Sequence, residues 1–192
     1  MSAVLGTLTW VLPRPKPPYY PGAYPLHFEK RLIRLLGNPS PDKIIHLFGG
    51  LSEIGKRVDI RPEVDPDYLA DVHDLHMIQD GSFKAVICDP PYSDNESKQL
   101  YDVDIPLRQK TWIKEAVRIC KDDGFVVLYH DRWLTKPPKC SYWMRIIVLP
   151  GQNHRGRICH IFMKDYGKKY PYDVAKQKET TQDETKLRMS EK

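Results

Sequence analysis

Two features that mark membrane and secreted proteins are missing from this sequence. No apolar run among the 192 residues approaches the ~20 residues that a transmembrane helix needs. The segment from Met1 to Trp10 also lacks a positively charged start and a small-residue cleavage site, so we expect no secretory signal peptide. These absences predict a cytoplasmic protein with no membrane partner.

Cysteine is scarce, and its spacing argues against a metal centre. The four cysteines lie far apart and include no Cys-x-x-Cys pair, whereas a structural zinc site needs clustered ligands. Most of them occupy apolar positions of candidate strands or helices, where a free cysteine behaves as a small hydrophobic side chain. We therefore predict no metal, and buried free thiols in a reducing compartment, at Cys88, Cys120, Cys140 and Cys159.

The chain is only moderately basic. A net charge of +5 is compatible with a polyanionic partner, but it is far from the dense basic patches of a dedicated nucleic-acid binder. The 41% of hydrophobic and 29% of charged residues are typical of a globular protein with one domain of ordinary size. Charge alone leaves nucleic-acid binding open.

Local composition divides the chain into three parts. Prolines at the density found between positions 13 and 21 cannot build a helix or a central strand, so we predict an extended arm over residues 1–25. Residues 166–192 are rich in Lys, Glu, Thr and Gln and almost lack apolar side chains, which predicts a solvated or disordered tail. Residues 26–165 form the predicted folded domain.

Apolar runs and helical patterns alternate through that domain. Apolar side chains recur at helical spacing from Leu26 to the stop signal at Gly37 and again over residues 112–120, before Gly124. Residues 51–56 predict a short helical turn, and the polar residues 93–109 predict a loop. Strands are predicted at residues 43–48, 57–60, 68–72, 84–88 and 125–129, followed by an antiparallel hairpin at residues 143–149 and 157–163.

This alternation predicts an α/β fold with a doubly wound, mostly parallel sheet. In such sheets, ligands bind beyond the carboxyl ends of the strands. Three features of the sequence lie at or near predicted strand ends: Phe48-Gly49-Gly50, Asp59, and Asp89-Pro90-Pro91-Tyr92. Their shared position predicts one ligand site.

The last of these, the Asp-Pro-Pro-Tyr motif, suits methylation of an amino group on a nucleic-acid base. The lone pair of such an amino group is delocalised into the ring, and acceptors for its N–H groups would free that pair for attack on a methyl sulfonium. Asp89 and the Pro90 carbonyl are two such acceptors, and the rigid Pro91 precedes Tyr92, on whose ring a flipped-out base can stack. The alternative is a rigid turn after a strand.

The glycine turn is weaker evidence for a ligand site. Gly49 and Gly50 would let the backbone approach the amino-acid part of a cofactor, although a plain turn is as good an interpretation. Asp59 could accept hydrogen bonds from ribose hydroxyls, or could be a solvated loop acid. Asp71 could accept from an adenine amino group, or could cap a helix.

Taken together, these residues resemble the amino-methyltransferase family that makes N6-methyladenine or N4-methylcytosine in DNA. The segment containing Tyr24-Pro25, with the helix after it, resembles the block that lines the family's cofactor pocket. The segment from Phe48 to Gly55 is similar to its glycine-rich cofactor loop. The Asp-Pro-Pro-Tyr motif matches its catalytic motif, and the hairpin resembles its last two strands.

The resemblance implies a Rossmann-like class I methyltransferase domain that binds S-adenosyl-L-methionine and DNA. It implies that Asp89, Pro90, Pro91 and Tyr92 are catalytic. The implied cofactor-binding residues are Tyr24, Pro25, Phe48, Gly49, Gly50, Ser52, Asp59, Asp71 and Asp89. The chain departs from the family pattern twice, with His46 where the loop usually opens with an acid and Ser52 where a second glycine is usual.

Two further functions stay open at this point. An RNA base amino-methyltransferase, acting for example on guanine N2, would use the same motif, and a non-catalytic methyltransferase-fold partner protein would explain the altered loop. The family commonly carries a target-recognition domain, and no segment here fits one. Substrate contacts are therefore expected from residues 93–109 and from the segment that begins at Arg132-Trp133, with sequence selection by a recognition subunit or within a homodimer.

Overall fold

The computed structural model describes residues 6–15, 22–151 and 155–164. Within them, eight strands form one sheet and three α-helices accompany it. The strands are β1 (Thr7–Leu12), β2 (Ile44–Leu47), β3 (Lys56–Asp59), β4 (Tyr68–Leu69), β5 (Phe83–Cys88), β6 (Cys120–His130), β7 (Cys140–Pro150) and β8 (Arg157–Lys164). The helices are α1 (Phe28–Leu35), α2 (Asp94–Tyr101) and α3 (Gln109–Ile119). The predicted tail at residues 166–192 lies outside the described residues, as do residues 1–5 and 16–21 of the predicted arm.

The strand order along the sheet is β1-β7-β8-β6-β5-β2-β3-β4. All neighbouring pairs are parallel except those of β8, which is antiparallel to both β6 and β7. Parallel neighbours require crossover connections, and their carboxyl ends meet at one edge of the sheet. The mostly parallel sheet with a C-terminal antiparallel hairpin confirms the predicted Rossmann-like fold class.

Helices cover both faces of this sheet. On one face, α1 buries Phe28, Leu32 and Ile33 in a core shared with β6, β7 and β8. On the other face, α3 buries Trp112 and Ala116 against β2, β5 and β6. The central strands β2 and β5 are therefore buried on both sides, which explains why their sequences are almost entirely apolar instead of alternating, with His46 and Lys84 as the exceptions.

Part of the predicted N-terminal arm belongs to the sheet. Residues of β1 pair in parallel with β7, from Thr7 opposite Arg145 to Leu12 opposite Pro150. An edge strand is compatible with the nearby prolines, because one side of such a strand needs no partner for its N–H groups.

Two local predictions about helices were wrong. Residues 93–109, predicted as a loop, contain α2, whose first turn is capped by the Ser93 hydroxyl accepting from the Glu96 N–H at 3.1 Å. Of its residues only Ser97 is buried, so the helix has no apolar stripe that a periodicity argument could detect. Of residues 51–56, predicted as a short helical turn, residues 51–55 form an irregular loop and Lys56 begins β3.

The passage from α3 into β6 also differs from its prediction. Gly124, predicted to end the helix, lies inside β6, which begins directly after α3 at Cys120. A side chain at Gly124 would place its Cβ 2.6 Å from the Lys121 carbonyl oxygen and 2.8 Å from that of Lys84. The glycine therefore permits a close backbone approach at the irregular start of the β5–β6 pairing.

Two further expectations concern cysteine and the membrane. All four cysteines are free and buried, as predicted. Burial raises the pKa of the Cys120 thiol to about 12, so the group stays protonated near neutral pH. Of the helices that the structure describes, none has the length and apolar character needed to cross a bilayer.

Gly55 provides a test of the packing between the glycine loop and β2. Its φ is +103°, and an added Cβ would lie 2.8 Å from both the Cβ and the carbonyl oxygen of Ile44. Gly37 has a φ of +88° but open space around it, so Gly37→Ala is the matched control for backbone strain alone. We expect Gly37→Ala to cost about 1–2 kcal/mol of unfolding free energy. Gly55→Ala should cost about 1–3 kcal/mol more, from overpacking.

Urea unfolding of both variants and the unchanged chain measures these free energies. Equal destabilisation by the two substitutions would contradict the tight contact between Gly55 and Ile44.

Candidate functional site

A cavity of about 770 Å³ lies at the carboxyl ends of β2, β3, β5 and β6. Its size is in the range typical of ligand pockets. Every residue predicted for catalysis or cofactor binding lines it: Tyr24, Pro25, Phe48, Gly49, Gly50, Ser52, Asp59, Asp71, Asp89, Pro90, Pro91 and Tyr92. The fold thus brings these residues together, while their individual roles remain predictions.

Asp89 directly follows β5 and stands where β2 and β5 end side by side. Its backbone N–H donates to the Leu47 carbonyl at 3.4 Å. Burial raises the pKa of the Asp89 carboxyl well above its usual range. The Arg157 guanidinium opposes this shift, and the Glu96 carboxylate adds to it. A raised pKa makes the Asp89 carboxylate a stronger base than an ordinary aspartate.

Tyr92 is held by hydrogen bonds at both ends of the residue. Its N–H donates to Glu96 Oε2 at 2.6 Å, and its carbonyl accepts from Arg132 Nη2 at 3.1 Å. Its hydroxyl accepts from Arg157 Nε at 2.7 Å. The Arg157 guanidinium lies 4.6 Å from the centroid of the tyrosine ring, and the His130 ring lies 4.9 Å from it. The ring predicted to stack on a base is therefore fixed in place and partly covered.

The glycine loop is shaped by packing as well as by its place beside the cavity. Phe48 and Gly50 have φ values of 57° and 46°, in the left-handed region. A Cβ at Gly49 would lie 2.9 Å from the Cβ of Arg57 on β3, so only glycine fits there. The Gly50 N–H donates to Asp59 Oδ2 at 2.9 Å. The glycine pair therefore serves the contact between the loop and β3 whether or not a ligand is present.

The two departures from the family pattern, His46 and Ser52, contact each other. Nδ1 of the buried His46 lies 3.2 Å from the Ser52 hydroxyl. Nε2 lies 3.0 Å from the Ile54 carbonyl and 3.1 Å from Glu29 Oε1. Both partners of Nε2 are acceptors when Glu29 is ionised, so the proton of the neutral ring belongs on Nε2.

Glu29, on α1, binds the glycine loop through its carboxylate. Its carboxylate accepts from the N–H of Ile54 at 3.1 Å and from that of Glu53 at 3.3 Å. Burial by itself raises the pKa of Glu29, but the hydrogen bonds from His46, Ile54 and Glu53 outweigh burial and lower that pKa below its usual range. Glu29 thus connects α1 to the glycine loop and stabilises the loop.

Asp59 occupies the position predicted for a ribose contact, yet its carboxylate is already paired. Arg61 donates to Oδ1 from Nε at 3.0 Å and to Oδ2 from Nη2 at 3.1 Å. The Arg61 guanidinium also lies 4.7 Å from the centroid of the Tyr101 ring. A ligand hydroxyl that bonds to Asp59 must therefore share it with Arg61 or displace that side chain.

Asp71 lines the cavity as a turn residue. Its Oδ1 accepts from the His73 N–H at 2.9 Å and lies 2.5 Å from His73 Nδ1. His73 Nε2 in turn accepts from the Arg108 N–H at 3.2 Å. The Asp71 side chain thus caps a local turn, whereas the alternative considered from the sequence was a helix cap.

Several residues of the cavity were missed from the sequence. Arg157 was assigned only to the hairpin, because nothing local indicates that an antiparallel β8 brings its first residue to the catalytic motif. Glu96 lay in a segment predicted as a loop. The partners Glu29 and Arg61 come from outside the motifs, and Tyr129 is the last residue of a predicted strand. A polar residue at the end of a predicted strand was the one usable signal, and it applied to Arg61 and Arg157.

A second cavity, of about 330 Å³, lies on the other side of the same motif. It is lined by residues of α3, β6 and the loop after β6, among them Trp112, His130 and Arg132. Within the described part of the chain, no cluster of three or more potential metal ligands occurs.

The likeness to known proteins is limited to the fold. No family model and no curated protein sequence matches the chain. A SAM-dependent methyltransferase from Aquifex aeolicus is similar in structure, with a TM-score of 0.45 and 10% identity over 71% of this chain and 89% of that one. A TehB-like SAM-dependent methyltransferase from Corynebacterium glutamicum has a TM-score of 0.49 and 16% identity over 71% and 86% of the two chains. Both of these structural neighbours are named as SAM-dependent methyltransferases, and at this level of identity the likeness concerns the fold alone.

The bracing by Glu29 predicts a pH-dependent contribution to stability. Since the pKa of Glu29 is lowered in the folded chain, its carboxylate stabilises the fold above the ordinary pKa of about 4.5. This stabilisation is lost as the pH falls through the lowered value. Glu29→Gln should cost about 1–2 kcal/mol at pH 7, with the difference from the unchanged chain shrinking below about pH 4.

Urea unfolding across this pH range measures the effect. Glu63→Gln, on the exposed turn before β4, is the control and should have no comparable effect. A Glu29→Gln cost that is constant down to pH 3 would contradict the assigned role.

Proposed function

We propose that this chain is an S-adenosyl-L-methionine-dependent methyltransferase that methylates the exocyclic amino group of a DNA base, adenine N6. One observation carries this proposal. The Asp-Pro-Pro-Tyr motif, the glycine loop and Asp59 come from three different strand ends and line the same cavity. Their convergence at the carboxyl edge of a mostly parallel sheet is what a shared cofactor and substrate site requires.

The residues of the cavity fit the chemical parts of the proposed cofactor. Asp59 and Asp71 offer carboxylate oxygens to ribose hydroxyls and to an adenine amino group. The apolar side chains of Ile60, Leu100 and Ile105 offer a surface for the adenine ring. When bound, this cofactor supplies a methyl group bonded to a positively charged sulfur, and the sulfur keeps the electron pair of the carbon–sulfur bond when the methyl group is transferred.

Asp89 and Pro90 act on the amino group of the target base. The Asp89 carboxylate and the Pro90 carbonyl accept its two N–H groups and direct the nitrogen lone pair out of the ring plane. Methylation of the nitrogen releases one proton, which passes to Asp89 or to water. The raised pKa of Asp89 supports this role, because it makes the carboxylate a better proton acceptor. Tyr92, fixed by Arg157, supports the base from one side.

DNA is the proposed partner, on the resemblance of the motif and on the cationic side chains Arg132 and Arg157 beside it. No target-recognition domain is discernible in the described residues. We therefore also propose that sequence selection comes from a recognition subunit or from a second copy of this chain.

Asp89→Ala tests the proposed chemistry. We expect a fall in methyl transfer of about 10³-fold, because a hydrogen-bond acceptor for the reacting amino group is removed. Binding of S-adenosyl-L-methionine should stay within a few-fold. Asp122→Ala is the matched control, since Asp122 is an exposed aspartate near the amino end of β6, opposite the cavity.

The measurement is incubation with methyl-labelled cofactor and DNA or RNA, followed by nucleoside analysis. Labelled N6-methyladenine in DNA supports the proposal. A labelled RNA base, such as N2-methylguanine, would identify RNA instead of DNA as the substrate. Full activity of Asp89→Ala would refute the mechanism. A chain that binds no cofactor at high concentration would be a non-catalytic partner protein.

Arg61→Gln tests the cofactor contact at Asp59. The ion pair to Arg61 must open or be shared when ribose hydroxyls bond to this carboxylate, so its removal should tighten S-adenosyl-L-methionine binding about tenfold, or ~1.4 kcal/mol. Calorimetric titration measures the affinity. Arg108→Gln, which leaves Asp59 untouched, is the control. Unchanged or weaker binding by Arg61→Gln would place the ribose elsewhere.

A further inference from the structure

The loop that joins β6 to β7, residues 131–139, begins beside the catalytic motif. His130, the last residue of β6, has its ring 4.9 Å from the Tyr92 ring. Arg132 donates from Nη2 to the Tyr92 carbonyl at 3.1 Å. The first residues of this loop therefore lie next to the place where the target base would enter.

Trp133 is presented to solvent at the start of this loop. Its residue is 60% exposed, and it is the one aromatic among the exposed large hydrophobic residues of the described ranges. A single exposed aromatic residue is not unusual by itself. Trp133 is singled out by its place next to Arg132, which lines the second cavity, and by the side chains that support its ring. Its neighbours show how it stays ordered.

The indole of Trp133 is supported from below by a stack of side chains. The Arg145 guanidinium lies 4.4 Å from the centroid of the Trp133 ring and 4.5 Å from that of the Tyr142 ring. Nε2 of the buried His160 lies 3.3 Å from the Leu134 N–H and 3.2 Å from the Arg132 carbonyl, so it forms a hydrogen bond to the backbone on one side of Trp133, as acceptor or as donor according to its tautomer. The tryptophan is thus a rigid platform with its remaining surface exposed.

The same loop is cationic. Arg132, Lys136 and Lys139 are exposed on it, and the Arg132 side chain is 63% exposed despite its bond to Tyr92. Asp131 is the single acid of the loop, and it pairs with His130 at 2.8 Å and Arg132 at 3.4 Å. An exposed aromatic ring among cations is the combination that binds single-stranded nucleic acid, by stacking on a base and contacting phosphates.

We propose that the loop of residues 131–139 binds the unpaired nucleotide next to the target base, with Trp133 stacked on that neighbouring base and Arg132, Lys136 and Lys139 on the phosphates. The inference rests on the proposed function and names the form of its substrate, a single-stranded segment. A paired base has its faces covered within the duplex, so stacking on Trp133 requires a strand that is single or locally opened.

Binding of a fluorescent single-stranded oligodeoxynucleotide, followed by anisotropy without cofactor, tests the inference. Trp133→Ala should weaken binding about tenfold or more, and Trp133→Phe should retain most of the affinity because it keeps a stacking ring. Leu69→Ala, a residue with the same exposure on the opposite edge strand β4, is the matched control and should bind like the unchanged chain. Removing Lys136 and Lys139 should make the affinity less dependent on salt.

Three results of the binding assay would overturn the inference: unchanged oligonucleotide affinity in Trp133→Ala, duplex binding by the unchanged chain as tight as single-strand binding, or no oligonucleotide binding at all. A Trp133→Ala variant that changes only the oligomeric state in sedimentation would assign the loop to a protein contact instead, and would also overturn it.

The proposed function fails separately. Tight single-strand binding that depends on Trp133, together with no labelled base in any polymer, would support the binding site and refute methylation. A Trp133→Ala variant that still methylates DNA and binds the oligonucleotide with unchanged affinity would support methylation and refute the binding site.

Discussion

The parallel pairing of β2 with β5 is the constraint on which the site depends. Its register runs from Ile44 opposite Ala85 to Leu47 opposite Cys88, so both strands end at the same level. The residues that follow, Phe48 and Asp89, are therefore brought side by side, although they are far apart in the chain. Apolar side chains on both faces of the two strands hold this register, since a one-residue slip would reverse the direction of every side chain.

The antiparallel strand β8 adds what the parallel part of the sheet cannot provide. Because β8 runs against β6, its first residue, Arg157, lies at the carboxyl edge, next to Tyr92. This places a cation near Asp89 and moderates the rise in the pKa of Asp89. The same hairpin positions Arg145 beneath Trp133. One reversed strand thus serves both the proposed catalytic centre and the proposed nucleotide contact.

The fold was largely predictable, and the errors have a common cause. Every predicted strand has a counterpart in the sheet, because buried strands need continuous apolar runs that are visible locally. Helix α2 was missed because it lies against the cavity with only Ser97 buried, so its sequence resembles a polar loop. Gly124 was misplaced because a glycine needed for a close backbone contact looks the same in sequence as one that ends a helix.

The sequence by itself determined the position of the Asp-Pro-Pro-Tyr motif, the glycine turn and Asp59, since each lies at or near the end of a predicted strand. Only the tertiary structure decided the partners of these groups. Glu29 accepts a hydrogen bond from the glycine loop at Ile54, across 25 residues. Arg61 pairs with the Asp59 carboxylate, and Arg157 donates to the Tyr92 hydroxyl from 65 residues away. Strand ends are set by local hydrophobicity, whereas the pairing of side chains depends on distances between elements that no local pattern encodes.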